Sequence, residues 1–167
     1  AYVLMRNHVH LLIEIGSFPL SKVMQNILFR YTRYWNRQYK TIGHLFQGRY
    51  KAILCEKESY LLELIRYIHL NQVRSKIVKD PGKYAWSSHR TYLKGEGQGW
   101  IAVEEVLPRW GRSRAAAIGA YQRFVQEGLG EGHRTDLYEV VDQRYLGDEA
   151  FAEGVEKRVG TDELPRC

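Results

Sequence analysis

Apolar residues fall on both faces of an alternating pattern along residues 1–15, from Ala1 to Ile15. This pattern predicts a β-strand in the middle of a sheet. Residues 16–19 contain glycine and proline and predict a turn. From Leu20 to about Tyr39 the apolar spacing becomes helical, and Ser21 is the expected N-cap.

A second strand and a second helix are predicted next. Residues 44–56 again alternate and predict a second strand. A second helix is predicted from Tyr60 to about Arg74, with Ser59 as its N-cap and an apolar stripe along one side. Residues 77–95 are punctuated by proline and glycine and predict a loop.

A glycine-rich stretch, Gly95–Gly99, is the expected boundary between two parts of the chain. The first part would be a domain of residues 1–95 and the second a helical extension of residues 96–167. Short helices are predicted in that extension at Val103–Leu107, Ser113–Gln126, Asp136–Tyr145 and Asp148–Val159.

Charge separates the same two parts. Residues 1–94 carry 16 Lys and Arg against 5 Asp and Glu, a net charge of +11, while residues 95–167 carry 9 against 14, a net charge of −5. A basic part rich in aromatic residues is typical of a protein that binds a polyanion, although a basic surface that is merely soluble gives the same count.

Composition excludes several classes of protein. The chain of 167 residues is 44% hydrophobic and 26% charged, as expected for a globular protein. It has no apolar run of the roughly 18 residues that a membrane span needs. No signal peptide is visible, so the cytoplasm is the expected compartment. Cys55 and Cys167 show no paired spacing and are expected to be free thiols.

His8 and His10 are the first candidates for chemistry. The period of two along a strand places both imidazoles on one face, about 6–7 Å apart at the backbone, so that they can share one cation. A hydrogen-bonded pair on a polar face is the equal alternative.

Tyr67 and Asn71 are the second candidates. Residues four apart on a helix project side by side, which places a phenol and a carboxamide on one face. Alone, this spacing is more typical of a core tyrosine beside a solvated asparagine. With the two histidines it provides a mixed nitrogen and oxygen shell that suits Mg²⁺ or Mn²⁺ better than structural zinc. Tyr67 is then the candidate nucleophile.

Four blocks resemble single-tyrosine HUH transposases, in particular the REP-associated tyrosine transposases of the IS200-like group. The blocks occur in the expected order over about residues 1–95. They are residues 1–14 (AYVLMRNHVHLLIE), residues 45–53 (LFQGRYKAI), residues 67–71 (YIHLN) and residues 86–88 (WSS).

The resemblance implies an α+β fold with a ferredoxin-like antiparallel sheet and helices on one face. It also implies cleavage and rejoining of single-stranded DNA through a 5′-phosphotyrosine link, with recognition of imperfect DNA hairpins. By motif position, His8, His10 and Asn71 are the metal ligands and Tyr67 is the nucleophile. A homodimer with shared active sites is an arrangement that the resemblance allows.

The sequence departs from the family pattern in places. Arg6, Gln72 and Ala85 stand where proline is usual, and His89 stands where tyrosine is frequent. None of these removes an active-site group. The family's leading strand–helix–strand segment is absent before Ala1, so we expect that these residues precede the sequence or that another chain fills the gap.

Basic residues supply the candidate DNA contacts. Those of the first helix are interleaved with aromatic side chains, and a solvated helix face is the equal alternative. The candidates are Arg30, Arg33, Arg37, Arg49, Lys51 and Arg74. His69 is expected to face away from Tyr67 in a packed or surface role, and His44 to be a solvated loop residue.

Two further functions remain open at this stage. The first is a DNA-binding module of the same fold that does not cut. The second is a metal-dependent phosphodiesterase that activates water instead of a tyrosine.

Overall fold

A computed structural model describes residues 1–97, 99–130 and 145–159. Its first element is a hairpin: β1 (Tyr2–Leu4) pairs antiparallel with β2 (Val9–Leu11), with Val3 opposite His10. The prediction of one continuous strand over residues 1–15 was therefore wrong. The chain reverses at Arg6 and Asn7, where polar residues interrupt the apolar pattern and asparagine favours a turn.

β1 also has a neighbour on its other side. Val3 forms an antiparallel bridge with Ser87, the Leu4 N–H donates to the Trp86 carbonyl at 2.8 Å, and the Ser88 N–H donates to the Tyr2 carbonyl at 3.0 Å. β1 therefore lies between β2 and residues 86–88.

The first helix, α1 (Leu20–Tyr39), has the predicted bounds. Ser21 lies inside it, and Pro19 occupies the N-cap position without a side-chain hydrogen bond. The helix ends at Lys40, which has a left-handed backbone conformation. Met24 is its one buried residue, so α1 contributes little to the core.

The second helix, α2 (Lys57–Arg74), begins three residues before the predicted start. Glu56 is at its N-cap position, and the Ser59 hydroxyl donates to the Glu56 carboxylate instead of capping the helix. Every residue from Ile65 to Gln72 is buried, so this stretch is the centre of the helix packing.

The second predicted strand is much shorter than expected. Of residues 44–56, only β3 (Leu54–Cys55) is a strand, and it pairs in parallel with β4 (Tyr145–Leu146). Its partner lies about ninety residues further along the chain, a pairing that no local pattern could indicate.

Short helices make up much of the rest of the described chain. α3 (His89–Lys94) lies where a loop was predicted, and α4 (Val103–Val106) leads into a 3₁₀ turn, Leu107–Trp110. α5 (Arg114–Glu127) is capped by Ser113, and α6 is Glu149–Val159. Of the predicted helix at 136–145, residues 136–144 lie outside the described residues and Tyr145 belongs to β4.

The main core joins α2 to the elements that follow residue 95. Ile65 and Leu70 pack in one buried cluster with Val103, Tyr121 and Val125. The division into residues 1–95 and 96–167 stays a prediction. The expected α+β class is confirmed, with an antiparallel sheet, a second small sheet and helices on one side.

Candidate active site

The hairpin brings His8 and His10 together. Their ring centroids are 4.9 Å apart and the rings meet edge to face. His8 is exposed and His10 is half-buried. His10 pairs across the hairpin with Val3, which is fully buried against Tyr67 and Ile68, so the packing of β1 on α2 fixes the place of the imidazole.

Both imidazoles are suited to bind a cation. His8 Nδ1 lies 2.8 Å from Asn7 Oδ1. An Nδ1–H donated to that oxygen leaves Nε2 with its lone pair free, which is how an outer hydrogen bond orients a metal-binding histidine. Burial, followed by the nearby charge of His8, lowers the pKa of His10. The imidazole is therefore neutral near pH 7, as a ligand must be.

Tyr67 lies beside this pair. Its ring centroid is 6.0 Å from that of His10, again edge to face, and its side chain is buried. The Arg74 guanidinium lies over the Tyr67 ring, 5.0 Å from the centroid, and Arg74 Nη1 donates to the Tyr67 carbonyl at 3.1 Å. A phenol, two imidazoles and a guanidinium therefore meet where β2 faces α2.

Asn71 follows Tyr67 by one turn of α2 and is also buried. Its Nδ2 has no hydrogen-bond partner. A carboxamide binds a metal through its oxygen, and its two ends have the same shape, so turning this amide by 180° would place Oδ1 at the unpartnered position. With two imidazoles this gives a donor set that a hard divalent ion accepts. The described residues contain no cluster of three or more His, Cys, Asp or Glu that could hold a metal.

His8, His10, Tyr67 and Asn71 all lie within a region that matches a known protein family. Residues 1–71 match the family model described as "Transposase IS200 like". This range covers less than half of the chain, and it contains the hairpin and the helix turn from Tyr67 to Asn71. No curated protein and no solved structure matches the chain. Within the described residues, no helix combines the length and the apolarity that crossing a bilayer requires.

The IS200-like region also contains five of the six candidate DNA contacts. Arg30, Arg33 and Arg37 are exposed on α1, and Arg33 lies over the Phe29 ring at 5.6 Å. The predicted strand that would have aligned Arg49 with Lys51 does not form, but both side chains are exposed. Arg74 lies apart from these residues, against Tyr67.

An aromatic surface accompanies the α1 arginines. The ring of Tyr31 contacts those of Tyr34, Trp35 and Phe46, with centroid distances of 6.2–6.3 Å. Beside it, a groove of about 910 Å³ lies between α1 and residues 44–50, and Arg49 is among its lining residues. Exposed rings next to arginines are the features with which proteins stack and neutralise single-stranded nucleic acid.

Sequence reasoning missed a second polar cluster, which is buried behind α2. It consists of His69, Ser88, His89 and Tyr121. Ser88 lay in a recognised block and His69 was expected to be packed or on the surface, but no local spacing relates either residue to Tyr121. Except for His69, these residues lie outside the IS200-like match.

Proposed function

We propose that this chain is a metal-dependent, single-tyrosine endonuclease and strand transferase of the REP-associated transposase type, acting on hairpin-forming single-stranded DNA. The observation that carries the proposal is the edge-to-face contact between His10 and Tyr67 beside His8. A buried phenol next to paired imidazoles is an arrangement that can hold a phosphodiester for attack.

Tyr67 would be the nucleophile. Its phenol loses a proton and its oxygen forms a bond to phosphorus, while the bond to the 3′ oxygen breaks and that oxygen takes up a proton. The 5′ phosphate is then esterified to Tyr67. The bond between the Tyr67 oxygen and phosphorus replaces the bond to the 3′ oxygen that was broken. A 3′-hydroxyl can therefore attack the phosphotyrosine ester, reverse the step and join strands without ATP.

His8, His10 and Asn71 would hold the divalent ion, Mg²⁺ or Mn²⁺. A divalent ion bound there polarises the scissile phosphate and offsets its developing negative charge. Arg74, over the Tyr67 ring, adds a fixed cation beside the attacking group. Its guanidinium would pair with a phosphate oxygen of the bound strand.

The DNA path would run along the first helix. Arg30, Arg33 and Arg37 supply cations next to exposed rings, and Arg49 and Lys51 continue the charge beyond α1. Phosphate contacts of this kind set affinity and position, while stacking on the rings tolerates any base.

The test uses an end-labelled hairpin oligonucleotide with Mg²⁺ or Mn²⁺, resolved on a denaturing protein gel. The wild-type chain should form a covalent adduct that Tyr67→Phe abolishes. Tyr60→Phe is a matched control, since Tyr60 is a half-buried tyrosine on the same helix and packs against the same cluster; it should keep the adduct.

Two results would replace the proposal. DNA cleavage that persists without an adduct in Tyr67→Phe would indicate a phosphodiesterase that activates water. Hairpin binding without cleavage under either metal, unchanged by His8→Ala, would indicate a DNA-binding module of this fold.

A further inference from the structure

The polar cluster behind α2 connects three separate segments of the chain. His69 belongs to α2, Ser88 and His89 lie at the start of α3, and Tyr121 belongs to α5. His69, Ser88 and Tyr121 are completely buried. His69 Nε2 lies 2.6 Å from Ser88 Oγ, His69 Nδ1 lies 2.8 Å from the Tyr121 hydroxyl, and that hydroxyl also contacts His89 Nδ1.

One arrangement of protons satisfies every contact. Ser88 Oγ accepts the Tyr2 N–H at 2.9 Å and donates to the Tyr2 carbonyl at 3.2 Å, so its own proton is used on β1. His69 must then donate from Nε2 to Ser88. Its Nδ1 accepts from Tyr121, whose oxygen in turn accepts from His89 Nδ1–H. Both imidazoles are neutral, as burial favours.

This chain of hydrogen bonds joins the two halves of the candidate active site. Ser88 Oγ holds the backbone of Tyr2. The next residue, Val3, pairs with His10 across the hairpin. His69 lies midway between Tyr67 and Asn71 on α2. At about 100° per residue, it points to the opposite side of the helix from both. Holding His69 from behind therefore fixes how far α2 is rotated about its axis, and with it the direction of the Tyr67 hydroxyl.

We infer that Ser88 and Tyr121 are positioning residues for strand cleavage. Ser88 fixes α2 against the histidine hairpin, and Tyr121 completes the network from the part of the chain that follows residue 95. The inference rests on the proposed function for its catalytic consequence. The inference goes beyond the proposed function because it makes α5, which lies outside the IS200-like match, a determinant of the active-site geometry.

The first experiment measures the rate of adduct formation at saturating hairpin DNA in Tyr121→Phe and Ser88→Ala. Removing either hydroxyl should slow the reaction about tenfold or more, because small misplacements of a nucleophile are costly. DNA affinity should stay within about twofold, since no DNA contact is removed.

Tyr92→Phe is the matched control. Tyr92 is equally buried, and its ring lies 5.0 Å from that of His69 and 5.2 Å from that of Tyr121. Among the described residues, no hydrogen bond joins its hydroxyl to the cluster. Tyr92→Phe should form the adduct at the wild-type rate. Wild-type rates in both Tyr121→Phe and Ser88→Ala would overturn the inference.

A second measurement does not depend on cleavage. Imidazole ¹⁵N spectra of the wild-type protein should show His69 protonated at Nε2 and His89 at Nδ1. In Tyr121→Phe, but not in Tyr92→Phe, the ring resonances of His10 and Tyr67 should shift. If the wild type forms no adduct, the proposed function fails, yet these spectra still decide the network. The inference is refuted if His69 is protonated at Nδ1 in the wild type, or if the His10 and Tyr67 ring resonances do not shift in Tyr121→Phe.

Discussion

The imidazole of His10 meets the phenol ring of Tyr67 edge to face, with 6.0 Å between the ring centroids. The two residues come from β2 and α2 of the same chain. A single chain therefore contains both the candidate ligands and the candidate nucleophile side by side.

We accordingly expect each chain to cut with its own tyrosine. A mixture of Tyr67→Phe and His10→Ala proteins should form no more adduct than the two variants do separately, because neither contains a complete site. The assay is the covalent adduct with labelled hairpin DNA. Adduct that reappears on mixing would show a site shared between two chains.

The histidine pair should control the affinity for metal. His8→Ala is expected to weaken Mn²⁺ binding about tenfold or more, since it removes one of two neighbouring imidazole ligands. Isothermal titration calorimetry with Mn²⁺ in the absence of DNA measures this affinity directly. His44→Ala, which changes an exposed histidine on the loop after α1, should leave the affinity unchanged. Equal affinity in His8→Ala and wild type would remove His8 from the ligand set.

The arginines of α1 should set the salt dependence of DNA binding. Arg37→Ala should reduce the slope of log affinity against log salt concentration by about 0.7, the value for one phosphate contact on a single strand. Arg123→Ala, an exposed arginine of α5, is the comparison and should keep the wild-type slope. If both variants lower the slope equally, the DNA does not follow α1 in particular.

Stability should depend on pH through the buried histidines. Burial lowers the pKa of His89 from its ordinary value of 6.5 to about 4, partly opposed by the charge of Asp80. Between these values the unfolded chain binds a proton that the folded chain does not, so stability falls as the pH falls. From about pH 7.5 to about pH 5 the loss from His89 alone is about 2 kcal/mol.

Urea unfolding at several pH values checks this dependence. Burial also lowers the pKa of His69 well below its ordinary value, which acts in the same direction. His89→Gln should therefore remove part of the slope and leave the rest. A free energy of unfolding that does not change between about pH 7.5 and about pH 5 would contradict the neutral, buried state of these imidazoles.

Local patterns were sufficient for some elements only. The bounds of α1 were predictable because a glycine–proline turn precedes a long amphipathic stretch. The hairpin at residues 1–15 was missed because the apolar alternation on either side of Arg6 and Asn7 is nearly continuous. The second strand was overextended because its pairing depends on β4, far along the chain.

The candidate site divides in the same way. The period of two in a strand and the period of 3.6 in a helix were enough to group His8 with His10 and Tyr67 with Asn71. That these pairs approach one another followed from the family resemblance, and the structure places His10 against Tyr67. The catalytic roles stay predictions. The Ser88–His69–Tyr121 network could not be anticipated, since Tyr121 lies 52 residues from its partner.

The completely buried hydroxyl of Tyr121 has a consequence for how such sequences diverge. Each member of its hydrogen-bond chain satisfies another, so losing one member leaves a polar atom unmet in the interior. Residues 69, 88, 89 and 121 should therefore covary among related sequences. In an alignment of relatives, correlated replacement at these positions would mark the lineages in which the later part of the chain docks onto α2 as it does here.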